Sequence, residues 1–116
     1  MTLRENQEAF LNDFAKLVLW CFENGYTVTE GEGYRTPEQA KLNAAKGKGI
    51  ANSLHCERLA HDINLFKGGV YIPDSDGHRP VGEYWKSLDP ANRWGGDFKK
   101  LKDGNHYSRS IGDGRA

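Results

Sequence analysis

The stretch Leu59-Ala60-His61-Asp62-Ile63-Asn64-Leu65-Phe66 constrains this chain more than any other. In an extended segment, Leu59, Ile63 and Leu65 fall on one face, and Ala60, Asp62, Asn64 and Phe66 on the other. A period of two with one apolar face is the pattern of a strand lying on a core. Lys67-Gly68-Gly69 then reads as a hairpin turn into Val70-Tyr71-Ile72, which makes the sheet antiparallel at this point. The same alternation sends His61 and Asp62 to opposite faces. Only one of them can therefore share a site with His55, just upstream, and the carboxylate pointing away from the apolar face is the better placed.

Helices flank this strand. Residues 2 to 24 carry Phe10, Leu11, Phe14, Leu17, Val18, Cys21 and Phe22 at spacings of three and four, the stripe of a core-facing helix. Thr2 and Glu5 have capping-box spacing, and Asn24-Gly25 stops the helix. Tyr26 to Gly33 alternates as a strand with one wet face. Thr36, Pro37 and Gln39 then open a second helix, with Gln39 expected to complete a capping box. Arg35 sits at that strand-to-helix junction. Lys46-Gly47-Lys48-Gly49 ends the second helix as a flexible basic loop without the spacing of a phosphate cradle. Val81 to Leu88 is a short helix with Tyr84, Trp85 and Leu88 available to pack. Asn92 to Phe98 is expected to be irregular, its Trp94-Gly95-Gly96 a closely approached backbone beside a cleft with Trp94 against the substrate. A last short strand is expected around 105 to 108.

With 116 residues the chain fits one domain, core about 2 to 108 and a flexible tail over 109 to 116. Lysine plus arginine and aspartate plus glutamate stand at 16 each, so no basic face is imposed and nucleic acid is a poor partner. No segment is apolar enough for stable membrane insertion, and no apolar run follows a basic start. The chain is expected to be a monomer made in the cytoplasm without its own secretion signal. Cys21 and Cys56 do not form a disulfide framework, and Cys21 suits a buried thiol on the first helix.

The chemistry concentrates in two places. His55 precedes Asp62 by seven residues, and Asp103-Gly104-Asn105-His106 brings a second histidine after an aspartate. Two imidazoles and one carboxylate form a catalytic zinc set that leaves a position open for water. Cys56 and His78 stay as rival ligands. Asp103 is placed to take and return a proton across a turn made flexible by Gly104, and Arg35 to hold a developing oxyanion. Asp74-Ser75-Asp76-Gly77-His78 has part of a calcium-loop pattern but lacks its terminal glutamate.

Taken together, Gly33-Tyr34-Arg35-Thr36, Ser53-x-His55 with six residues before Asp62, Trp94-Gly95-Gly96-Asp97-Phe98 and Asp103-x-x-His106 resemble the M15 metallopeptidases. The likeness is to the phage endolysin-type branch, the L-alanyl-D-glutamate peptidases and the related D-Ala-D-Ala carboxypeptidases, and covers about residues 26 to 108. It implies an α+β fold, a small antiparallel sheet flanked by helices in a hedgehog/DD-peptidase-like single domain. It implies one zinc per chain on His55, Asp62 and His106, Asp103 as general acid/base, and Arg35 and Ser53 toward the substrate. That substrate would be a peptidoglycan stem peptide, most readily cut at L-Ala-D-Glu, with the enzyme reaching the wall through a phage holin. The alternatives are a D-Ala-D-Ala carboxypeptidase or a non-catalytic zinc-containing wall-binding module. Arg58 and His61 stand where many members have glycine and an apolar residue.

Overall fold

A computed structural model describes all residues, Met1 to Ala116. Helix α1 runs over Leu3–Glu23, β1 over Tyr26–Glu30, α2 over Pro37–Ala45 and β2 over Ala60–Lys67. They are followed by β3 at Val70–Ile72, α3 at Arg79–Leu88, β4 at Asn92–Trp94 and β5 at His106–Arg109. Short 3-10 turns at Leu54–Glu57, Asp76–His78 and Gly95–Asp97 link them. No helix is long and apolar enough to cross a membrane.

The α1 cap is the one expected: the Thr2 hydroxyl accepts from the Glu5 N–H while the Glu5 carboxylate accepts from the Thr2 N–H. In α2 only half the box forms. Thr36 accepts from the Gln39 N–H, but the Gln39 side chain reaches along its own helix to Asn43. The apolar stripe of α1 is also narrower than its periodicity suggests. Phe10, Leu17 and Cys21 are buried, whereas Leu11 and Phe22 lie in solvent. Asn6 and Asp13 take buried places because Arg109 donates to Asn6 and Asn92 donates to Asp13. These bonds tie α1 to the far end of the sheet.

The sheet is antiparallel, in the order β1-β2-β5-β4, with β3 also pairing with β2. Gly68 and Gly69 both have positive φ, as the tight β2–β3 hairpin requires. Leu59, Ile63 and Leu65 pack toward α1 and α3 as the alternation predicts, joined by Val81, Trp85, Trp94 and Tyr107. Each such large apolar side chain, fully buried, contributes about 1.5–3 kcal/mol. The Trp85 indole is satisfied as well as buried, donating to the carbonyls of Arg93 and Ser108 and so joining α3 to β4 and β5.

The structure departs from the sequence-based expectation at two places. Asn92–Trp94 is a strand, paired with β5, rather than irregular chain. Arg109 belongs to β5 and is buried, not part of a tail. Beyond it, Arg115 bonds Asn52 and pairs with Glu57.

Candidate metal centre

Strand pairing assembles most of the site. Asp62 on β2 stands directly opposite His106, the first residue of β5, so the two side chains emerge side by side on the face away from α1. His61 pairs with Tyr107 on the other face, where its ring packs 4.5 Å from that of Phe14 and its Nε2 meets Glu30. The two side chains thus lie on opposite faces, and Asp62 is the one beside His55 and His106.

His55 arrives from the 3-10 turn before β2. Ser53 caps that turn, its hydroxyl accepting the His55 N–H at 3.1 Å, and Ser53 is itself buried. The His55 ring is fixed at its back, Nδ1 lying 2.7 Å from the carbonyl of Gly33. A carbonyl only accepts, so Nδ1 carries a proton, and in the neutral ring Nε2 presents a lone pair.

His55 Nε2 and His106 Nδ1 each stand 3.3 Å from one oxygen of Asp62, and the three ligand atoms lie within 4.8 Å of one another. That Asp62 oxygen is buried and has no hydrogen-bond partner, because neither imidazole meets it in hydrogen-bonding geometry. Both distances exceed the roughly 2.7–2.9 Å of a charge-assisted hydrogen bond. Two imidazole nitrogens and an orphaned carboxylate oxygen, clustered together, are the donor set of a divalent cation such as zinc. The residues fit the group. Without it, burial pushes the Asp62 carboxyl up, but His106 and His55 more than offset this and hold it well below the usual carboxylate range. For His55, burial lowers the pKa, but the Asp62 carboxylate and the Gly33 carbonyl together hold it above the ordinary value.

Asp103 lies at the rim. Its N–H donates to Gly95 and its carbonyl accepts from the His106 N–H, so the backbone joins it rigidly to a candidate ligand. Partial desolvation first, and the charge of Asp62 second, raise its carboxyl above the ordinary value. Gly104 is not the flexible joint expected. Its N–H donates to Ser75, its carbonyl accepts the Trp94 indole N–H, and a Cβ there would stand 2.4 Å from the Ser75 backbone. Gly95 is equally constrained, since a Cβ would stand 1.9 Å from the Asp103 carbonyl oxygen.

Arg35 reaches the site with its guanidinium held by Glu32. Glu32 in turn accepts the Asp62 N–H through its own carbonyl. Neither Glu32 nor the Gly33 carbonyl was anticipated; the closely spaced Gly31 and Gly33, which let this segment press against β2, were the available signal. Trp94 is corrected: it is 1% exposed, clamped between Gly82 and Gly96, and offers no surface to a substrate. Ser53 likewise spends its hydroxyl on the turn. His78 is buried away from the cluster, between the Tyr107 hydroxyl and the Ile72 carbonyl. Cys56 is not in the cluster, and Asp74 accepts from Gly77 within its own turn.

Known proteins agree with this architecture. The model of the M15 peptidase family described as D-alanyl-D-alanine carboxypeptidase matches residues 46–109. Among solved structures, the L-Ala D-Glu endopeptidase ChiX of Serratia marcescens superposes with a TM-score of 0.72 at 21% identity, over 97% of this chain and 90% of that one. A mutant of the vancomycin-resistance D,D-pentapeptidase VanY, from a VanB-type cassette and in complex with Zn(II), gives 0.59 at 18% identity, over 86% and 70%. No curated protein sequence matches the chain. The fold and the family match define a metallopeptidase. The chain belongs to the M15 peptidases.

Proposed function

We propose that this protein is a zinc-dependent peptidoglycan peptidase that hydrolyses the L-Ala-D-Glu bond of stem peptides, in the manner of a phage endolysin. The observation that carries the reading is the convergence of His55 Nε2 and His106 Nδ1 on one unpartnered oxygen of Asp62. These three side chains would hold one zinc. When bound, zinc supplies Lewis acidity toward water and toward the scissile carbonyl. Asp103 takes the proton of the attacking water and returns it to the leaving amine; partial desolvation and the Asp62 charge raise its pKa, the direction that favours the return. Arg35, steadied by Glu32, stabilises the oxyanion that develops on the carbonyl.

The choice of bond rests on the fuller likeness to ChiX, whose length and fold this chain nearly matches. The family description favours a second reading, cleavage next to D-alanine as a carboxypeptidase. In the endolysin reading a monomer accumulates in the cytoplasm and meets the wall through a holin pore.

Purified peptidoglycan, incubated with the protein and resolved by mass, separates these readings. Chelator-sensitive release of fragments with new D-glutamyl amino termini supports the endopeptidase. Chelator-sensitive loss of single D-alanines supports the carboxypeptidase. Tightly held zinc with neither product would leave a wall-binding module. Lysis of cells expressing the protein only when a holin is co-expressed tests the route to the wall.

A further inference from the structure

A cavity of about 400 Å³ opens between α1 and the 31–35 segment, and none of His55, Asp62 and His106 lines it. Its floor is apolar, from the buried Phe10 and Ala60, the exposed Leu11 stands at its rim, and Tyr34 and Arg58 stand at its wall. The Arg58 guanidinium lies 4.0 Å above the Tyr34 ring. Nothing acidic answers it. The nearby carboxylates are engaged elsewhere: Glu57 with Arg115, Glu32 with Arg35, and Glu30 with His61.

The backbone makes this arginine more telling. Arg58 has φ 56° and ψ 36°, and it is the one non-glycine residue at positive φ in the chain. It ends the 3-10 turn that carries His55, a place glycine fills without strain. An unfavourable conformation kept at a cavity wall, by a solvent-exposed cation that stacks on Tyr34 but pairs with no carboxylate, suits a residue that serves a ligand. A planar fork stacked on an aromatic ring is oriented to receive a carboxylate on two N–H groups. The volume falls in the range of small-molecule sites.

We infer that this cavity is a second binding site for a carboxylate joined to a compact apolar body, with Arg58 receiving the carboxylate and Phe10, Leu11 and Tyr34 the apolar part. The inference does not rest on the peptidase reading, since no metal ligand lines the cavity. Two sources could present this chemistry, a free aromatic acid or the carboxyl end of a wall peptide.

Amide NMR of the full chain with zinc present tests it, using N-acetylphenylalanine, its uncharged amide, and a stem tripeptide as probes. The acid should bind saturably and shift the amides of Gly33, Tyr34, Arg58 and His61, with the amide analogue about tenfold weaker. Arg58→Gly should abolish that preference while keeping or raising the melting temperature, and Arg58→Gln should abolish it without altering the αL requirement. Tighter binding by the tripeptide at the same amides supports the site and assigns it to substrate; tighter binding by N-acetylphenylalanine supports it as a site for free acids. Equal affinity for acid and amide, unchanged binding by both Arg58 variants, or shifts confined to His55, Asp62 and His106 would overturn the inference.

Discussion

At His55 and Asp103 the same cluster asks for opposite behaviour. The His55 ring is held through Nδ1 by Gly33, which turns Nε2 toward Asp62, whereas Asp103 hydrogen-bonds His106 only through backbone and keeps its carboxyl available. Substitution should separate the two roles. Asp103→Asn should keep stoichiometric zinc, measured by metal analysis after dialysis, and lose roughly 10²–10⁴ in kcat. His55→Ala should lose both, and a fully active His55→Ala would remove the cluster from the mechanism. Much of this was legible in the sequence, because alternation alone puts Asp62 and His61 on opposite faces. Ser53 and Trp94 were not. A serine before a histidine suits a cap and a substrate contact equally, and an aromatic beside two glycines suits a cleft wall and a buried plug. Only the partners, the His55 N–H and the flanking Gly82 and Gly96, decide.

Among the elements, α3 shows how packing can invert a local rule. Glycine inside a helix ordinarily costs about 0.5–1 kcal/mol relative to alanine, so replacing it should stabilise. Gly82 should do the reverse, because a Cβ there would stand 2.2 Å from the Trp94 ring. Gly82→Ala is expected to destabilise by about 1–3 kcal/mol in urea unfolding. Displacing Trp94 would also weaken its bond to the Gly104 carbonyl and so loosen the turn before His106. A stabilised Gly82→Ala would show that the indole is free to move. Helix α1 was readable to its cap because Thr2 and Glu5 act locally. Strand β4 was missed for the complementary reason: it has three residues between Pro90 and Gly95, too few for any period, and exists only because β5 pairs with it.

For the molecule as a whole, acid should be a directed stress. His78 is buried, and burial lowers its pKa below 6.5, with the Ile72 carbonyl and then Asp74 opposing only in part. A histidine depressed in the folded state contributes its full stability above pH 6.5 and loses it as pH falls through the folded value. Urea midpoints should therefore decline below about pH 6.5, and His78→Phe should flatten that slope even if it lowers stability throughout. An unchanged slope would place the acid sensitivity elsewhere. The sheet order carries a different consequence. Strand β5 lies between β2 and β4, yet its residues, His106–Arg109, follow every other strand in the chain. During synthesis the nascent polypeptide thus carries an open seam where β5 will insert, and neither core nor cluster can close until those residues leave the ribosome.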